Sequence, residues 1–527
     1  MARITRRGVL KSAAAAAVLA GTPRAAAAKP AGKILAISDV HIGDNSPTVW
    51  YQQKYHEPYL SALLDHVIAN AADVRELVIL GDFVDFWTYP PERKPPSFTE
   101  IAAANPNILG PGGKLSAVLD ALDGRVTYVP GNHDMTITQA DLDQIGNRRH
   151  QIRLHTEENY FPLGTDRRIL MAHGHRWTMF NCPDAATRLA PLPVGHFATR
   201  SFCHMLTRKL KPGQTVADLV DQGQPNGVDF AGMLRSLDAI DGTVVELAVT
   251  YASNTMGLAM DAPIVLPSGD TTTLAEARTI YRDLWASWER AGGGGRDGEL
   301  EAAKAAAADI DNGTYLAWFA QRAGLQNGAD LVVYGHTHEA VRGLKDGFID
   351  YLNTGFDCAS MPDMPKRHFT FAEIDADTLH GQIMQVTSDM RVIPYDRAKV
   401  DTITPGPTFD FSTYVTVDNS AGTADLVLSD FKAKEGHFVV PPPARIPRGQ
   451  VARFWIQDYP GGGGSAGTAT YQGGGTPLTL TFACPTGVSS NSAAGASFRA
   501  KTASSDPYGA SDHVPTLGHP LFVQFTA

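Results

Sequence analysis

The sequence predicts two parts: an α/β domain whose parallel sheet is interrupted by a long helical insertion, and then an all-β domain. Three observations lead there. Short apolar runs alternate with amphipathic stretches from Lys33 onward, that rhythm lapses between Ala172 and Leu331, and past residue 411 helix formers give way to glycines and alternating apolar positions. A chain of 527 residues also exceeds what one hydrophobic core usually organises.

Ile34 to Ile37, a helix carrying Leu60, Leu63, Leu64 and Val67, and then Leu77 to Leu80 read as β-α-β. A second unit repeats the pattern, with Leu115, Val118, Leu119 and Leu122 on one helical face and Val126 to Val129 as the next strand. Asp39, Asp82 and Asn132 each stand just past an apolar run, where the carboxyl ends of parallel strands form a ligand crevice.

After Ile169 to Ala172, residues 177–330 read as a mostly helical insertion or cap. Leu274, Ala277, Ile280, Leu284 and Trp288 form one helical stripe, expected to be core, which Gly292 to Gly295 end. A further helix is expected from Glu299 to Ala323. Strands at Leu331 to Tyr334, Tyr351 to Asn353, Phe369 to Phe371 and Ile383 to Val386 complete a domain over 33–395. Residues 396–411, with Pro405-Gly406-Pro407, read as a linker. Residues 412–527 read as a β-sandwich, with Tyr414, Val415, Val417, Leu426 and Leu428 among its strand positions. The run Gly461 to Gly464 is a loop, because neither a P-loop lysine nor a following helix accompanies it.

Composition narrows the classes. Hydrophobic residues at 43% and charged residues at 19% suit an ordinary globular protein, and the net charge of -10 disfavours nucleic acid as a partner. Arg6-Arg7 followed by the apolar run Ala13 to Ala20 reads as a twin-arginine export signal over residues 1–28, implying a periplasmic or secreted protein. That run is too short to span a bilayer, and no later segment is long and apolar enough, so no transmembrane segment is expected in the mature protein. The four cysteines are too scattered for a disulfide scaffold, although Cys182 and Cys203 could pair.

Five short motifs carry the chemistry: Asp39-Val40-His41, Gly81-Asp82-Phe83-Val84-Asp85, Gly131-Asn132-His133-Asp134, His173-Gly174-His175 and Gly335-His336-Thr337-His338. Any one of them is commonly a turn or a helix cap. Together, nearly all at the ends of apolar runs, they supply the carboxylates, imidazoles and amide oxygen of a mixed N/O site for two first-row divalent metals, with Mn, Fe and Zn all suited.

The series resembles the calcineurin-like metallophosphoesterase family over roughly residues 33–390. The resemblance implies a four-layer α/β/β/α sandwich, with Asp39, His41 and His338 on one metal, Asn132, His173 and His336 on the other, and Asp82 bridging. It implies that His133 is the general acid, that Asp134 orients the His133 ring, and that a hydroxide on the metals attacks phosphorus. Asp85 either supports the ligands through hydrogen bonds or is a turn residue. His173 is favoured over His175 as ligand because it lies nearest the strand end; His175 is left to contact substrate or to act as an outer donor. Arg176 could pair with a substrate phosphate, while His196 and His204 read as packed or surface residues.

His173-Gly174, the insertion after it and Asn353-Thr354-Gly355 are also similar to pyrophosphohydrolases that cleave UDP-2,3-diacylglucosamine. Export, and His133 where many of those enzymes carry Arg, point instead to an extracytoplasmic phosphomonoester or phosphodiester. The C-terminal stretch, including Gly436-His437-Phe438 and Pro441-Pro442-Pro443, faintly resembles aegerolysin-like β-sandwiches, which implies a lipid or its headgroup as a partner and peripheral membrane contact. A domain that only packs on the catalytic part is the plainer expectation. The rival class is a non-catalytic lipid- or glycan-binding protein with a structural metal site.

Overall fold

The computed structural model describes residues 32–146, 149–221, 249–250, 253–284, 286, 288, 298–310, 313–356, 369–404, 409–459, 462–473, 475–503 and 507–527. The export segment, the Gly292 to Gly295 stop, Cys358 and Pro405-Gly406-Pro407 lie outside the described residues.

Along the chain the strands of the first domain are β1 Lys33–Ile37, β2 Val74–Leu80, β3 Val126–Val129, β4 Arg153–Leu154, β5 Ile169–Met171, β6 Ile264–Val265, β7 Thr271–Thr272, β8 Leu331–Tyr334, β9 Val341–Leu344, β10 Asp350–Asn353, β11 Phe369–Asp375, β12 Gly381–Val386, β13 Val392–Pro394 and β14 Lys399–Asp401. They form a seven-stranded sheet, β13-β12-β11-β1-β2-β3-β4, and a five-stranded sheet, β14-β9-β10-β8-β5, with β6 and β7 as a separate hairpin. Strands β1 to β4 run parallel, as do β5, β8 and β10.

The continuous apolar runs are explained by burial on both faces. Successive side chains point to opposite sides of a sheet. Ile34, Ala36, Val78, Leu80 and Val129 share one cluster with Ile169, Met171, Leu331 and Val333 between the two sheets. Their neighbours Leu35, Ile37, Leu77, Ile79, Val332 and Tyr334 face outward into the cluster that holds the helices. The helix Gln53–Ala69 buries Leu60, Leu63, Leu64 and Val67, and Lys114–Ala121 buries Leu115, Val118 and Leu119.

Local breaks correct three expectations. The stripe from Leu274 to Trp288 is not one helix: Leu274–Ile280 stops at Tyr281, whose hydroxyl bonds Leu192 O, although Leu274, Ala277, Leu284 and Trp288 are buried. The helix expected over 299–323 is two, Gly298–Ile310 and Leu316–Asn327, because Gly313 and Tyr315 take left-handed φ values of 85° and 68°. The linker expected from residue 396 holds a strand: β14 pairs with β9 and closes the edge of the second sheet. Cys182 and Cys203 are buried and not bridged to each other, so the pairing left open above does not form.

The C-terminal strands are β15 Thr413–Asp418, β16 Leu426–Glu435, β17 His437–Val440, β18 Arg445–Ile446, β19 Val451–Gln457, β20 Gly464–Gln472, β21 Leu478–Pro485, β22 Ser492–Ala494, β23 Ser497–Thr502 and β24 Leu521–Thr526. They make two five-stranded sheets, β17-β19-β15-β24-β23 and β18-β16-β20-β21-β22, around Val415, Val417, Phe454, Tyr471, Phe482 and Val523.

This unit is packed on the first. Trp455, Tyr414, Val439, Val440 and Phe522 belong to the first domain's own apolar cluster, and Trp455 lies 5.4 Å from Trp318. Trp318 Nε1 donates to Gln457 Oε1 at 2.8 Å, and Gln321 Nε2 to the Tyr414 hydroxyl at 3.1 Å. Among the described residues no helix is long and apolar enough to cross a membrane.

Candidate metal centre

The five motifs follow the carboxyl ends of β1, β2, β3, β5 and β8, so both sheets deliver their chemistry to one end of the sandwich. The chain must turn sharply there. Asp39, His41, Asp82, His336 and His338 all take positive φ, between 51° and 75°, which non-glycine residues seldom adopt. Such conformations cost about 1–3 kcal/mol each and persist where surrounding structure imposes them. Glycine is needed where backbones touch: a Cβ on Gly131 would stand 2.2 Å from Asp82 Oδ1.

Asp39, His41 and His338 bring ligand atoms within 4.8 Å of one another, as do Asp82, His173 and His336, and His41, Asp82 and His133. His41 Nε2 and His338 Nε2 are 3.2 Å apart. His173 Nε2 is 3.2 Å from both Asp82 Oδ2 and Asn132 Oδ1, and His336 Nδ1 is 3.0 Å from Asn132 Oδ1. All the residues expected as ligands are thereby brought together.

Hydrogen bonds behind the cluster fix what faces into it. His173 Nδ1 lies 2.8 Å from Leu80 O, a pure acceptor, so it carries a proton and leaves Nε2 to meet the oxygens of Asp82 and Asn132. His41 Nδ1 is likewise held by Asp85 Oδ2 at 2.9 Å, which turns the Nε2 lone pair toward His338. Acceptor atoms gathered this closely draw positive charge among them. The donor set therefore fits divalent cations, with the outer bonds doing the orienting that ligand imidazoles require.

The electrostatics show how strongly the cluster draws positive charge. Burial works against charge on His173, but the Asp82 and Asp39 carboxylates outweigh it and raise the ring to about 9. Burial also pushes Asp82 upward, yet His173 and His133 hold it well below the usual carboxylate range. Desolvation lowers His41 and His336, keeping both in the neutral form that can ligate.

One expected role moves to another residue. Asp134 does not touch the His133 ring: its Oδ1 accepts from Gly131 N at 2.6 Å, and its Oδ2 from Phe83 N at 3.0 Å and from the Tyr128 hydroxyl. It ties the loops after β2 and β3 together. The carboxylate on His133 Nδ1 is Asp85, at 3.0 Å, and the same Oδ2 holds His41. Asp85 Oδ1 accepts from Trp87 N and Thr88 N at 2.7 and 3.0 Å, so a turn carboxylate also aligns two imidazoles. Burial disfavours the imidazolium of His133, but Asp85 and Asp82 outweigh it and shift the ring upward, toward the form that gives a proton.

The remaining candidates stand apart. Arg176 is paired with Glu158 at 2.9 Å, which answers its charge without a substrate phosphate. His175 lies 5.4 Å from the His173 ring, and burial with the nearby His173 charge lowers it to about 3, so it is neutral. His196 is fully buried and edge-on to Trp87. His204 is partly buried in the helix Val194–Lys209.

Several neighbours escaped the sequence reading. Trp87 stacks on His133 at 4.5 Å, Trp50 approaches His41, His133 and His338, and Thr178 Oγ1 sits 3.0 Å from His336 Nε2. No spacing announces them. Asn353-Thr354-Gly355 does carry a signal: Asn353 Nδ2 donates to Gly335 O at 2.7 Å, and Thr354 meets the Ser38 hydroxyl that bonds Asp39.

A search of the curated proteins found no match to this chain. Residues 32–210, which carry every motif from Asp39 to His175 and leave His336 and His338 to be brought in by the second sheet, match the model of the Calcineurin-like phosphoesterase family.

Proposed function

We propose that this protein hydrolyses a phosphomonoester or phosphodiester, with Asp39, His41 and His338 holding one divalent cation, Asn132, His173 and His336 a second, and Asp82 shared between them. The observation that carries this is the meeting of imidazole nitrogens and carboxylate oxygens from two sheets within 4.8 Å of one another, beside the amide oxygen of Asn132. Two such cations, Mn, Fe or Zn, would lower the pKa of a shared water and neutralise charge on the phosphoryl oxygens.

The chain's own residues do the rest. Asp85 holds His133 by Nδ1, so Nε2 is the ring's remaining proton-bearing atom. As the bond from phosphorus to the leaving oxygen breaks, that proton passes to the oxygen, a transfer worth about a hundredfold or more in rate. Trp87, stacked on the ring, keeps its plane. Export through the Arg6-Arg7 segment belongs to the same reading and makes the substrate extracytoplasmic.

Turnover of p-nitrophenyl phosphate and its bis-ester by metal-stripped protein, with and without added Mn²⁺, tests the reading against a His133→Ala variant. Metal-dependent turnover that falls in the variant supports it. Absence of metal-dependent turnover favours a binding protein, and turnover confined to a UDP-sugar pyrophosphate favours the pyrophosphohydrolase.

A reading in which the β-domain meets a lipid surface has one observation behind it. Phe409, Tyr459, Val488 and Leu517, exposed by 65, 44, 99 and 70%, all lie on loops at the end of the sandwich where β15 and β24 begin and β19 and β21 finish. Asn491 clips two of those loops together through Pro515 O and Gly518 O. Co-flotation of the full chain with phosphatidylcholine vesicles, lost when Val488 and Leu517 become Ser, tests it; failure of the parent protein to float ends it.

A further inference from the structure

The cluster opens on one side. The side chains of Asp39, His41 and His173 are fully buried and that of Asp82 is 2% exposed, whereas His338 is 20% exposed. His336 and Thr337 are also partly exposed. The mouth therefore lies at the loop after β8.

Trp50 stands beside that mouth and belongs to none of the motifs. Its ring centroid lies 4.6 Å from that of His41, 5.1 Å from His133 and 5.7 Å from His338, and the indole is partly exposed. It is held rigidly. Val49 and Tyr51 on either side are fully buried. Gln52 Nε2 donates to Val49 O at 2.7 Å and Ser46 O at 3.1 Å, and Thr48 Oγ1 donates to Thr88 O at 2.7 Å. A large aromatic surface is thus fixed next to the residue assigned to protonate the leaving group, at little entropic cost to binding.

We propose that Trp50 is a specificity-determining residue whose indole packs against the leaving group, selecting phosphoesters of a flat, uncharged alcohol. This rests on the reading of His133 as the proton donor. The leaving oxygen must come within hydrogen-bond reach of His133 Nε2, so the carbon attached to it begins within a ring's width of Trp50. A flat ring gains by stacking there. A cationic headgroup gains less, because loaded metal ions beside His41 and His338 place positive charge at the same wall.

Two measurements test it. Calorimetric Kd values for phenylphosphonate and methylphosphonate on the Mn²⁺-loaded protein need no turnover: the phenyl compound should bind about three- to tenfold tighter, and Trp50→Ala should abolish that preference. The ratio of kcat/KM for phenyl phosphate over glycerol 3-phosphate should fall in Trp50→Ala by a similar factor, with intrinsic leaving-group reactivity cancelling between variants. Trp50→Phe should keep most of both preferences, which guards against a variant that merely misfolds. Ratios unchanged in Trp50→Ala overturn the proposal, as does a parent that binds both phosphonates alike. If no ester is hydrolysed but phenylphosphonate is still preferred through Trp50, the wall stands and the hydrolytic reading falls.

Discussion

Replacing Asp85 with Asn probes the joint between the candidate metal site and the proposed acid, His133. Asp85 is fully buried, and His133 and His41 hold its carboxyl well below the usual range against the opposing effect of burial. Asn keeps the shape, and its oxygen can still accept from Trp87 N and Thr88 N. Its amide, however, presents a donor where His41 Nδ1 and His133 Nδ1 each offer a proton, at 2.9 and 3.0 Å. Both rings must turn away or move their protons to Nε2. For His41 that places a proton where a lone pair should meet the metal, and for His133 it removes the fixed aim of the donor.

Loss of such an outer partner typically lowers metal affinity or activity about 10–100-fold, which is roughly 1.4–2.8 kcal/mol. Chelator competition should show weaker binding of the ion near His41. The kcat/KM for p-nitrophenyl phosphate at saturating Mn²⁺ should fall further, because the acid is disturbed as well. A folded Asp85→Asn protein with parental metal affinity and parental rate would refute the claim that this carboxylate sets both tautomers.

Further outcomes follow from other contacts. Gly131→Ala puts a Cβ 2.2 Å from Asp82 Oδ1, so the purified variant should retain little metal by elemental analysis while keeping its secondary structure by circular dichroism. Trp455→Ala empties a site between the domains and removes the Nε1 bond to Ser412 Oγ at 3.0 Å; a loss of about 3–5 kcal/mol is expected in urea unfolding. The parent should unfold in one transition, and two separate transitions would show that the interface does not couple the domains. Asp458 is raised to about 6 by burial and by Asp410, above an unfolded value near ~4. The folded form therefore prefers the protonated group, and that stabilisation, full at low pH, is lost as pH rises through the folded value. Asp458→Asn should accordingly raise Tm at pH 8 and change it little at pH 4 by scanning calorimetry.

Much of the site was legible because its ligands come as short motifs at strand ends. Asp39, His41, Asp82, Asn132, His133, His173, His336 and His338 are set by local geometry: a parallel strand ends, the chain turns, through left-handed φ at Asp39, His41, Asp82, His336 and His338, and the side chain faces the crevice. What escaped had no local marker. Asp85 and Asp134 each close a motif, and only the fold shows that Asp85 reaches His133 while Asp134 is taken up by Phe83, Gly131 and Tyr128. Trp50 is one aromatic residue among many until the loop that carries it is folded over three imidazoles.

The strand-helix rhythm, the candidate ligand set and the change of composition past residue 411 are readable from the chain alone, because periodicity and residue chemistry are local properties. Only the folded chain sets where helices break, at Tyr281 and around Gly313, that β14 joins the second sheet, and that Trp318 and Trp455 join the β-sandwich to the first domain. Those depend on contacts between residues remote along the chain, whose energies exceed the weak local preferences that a sequence displays.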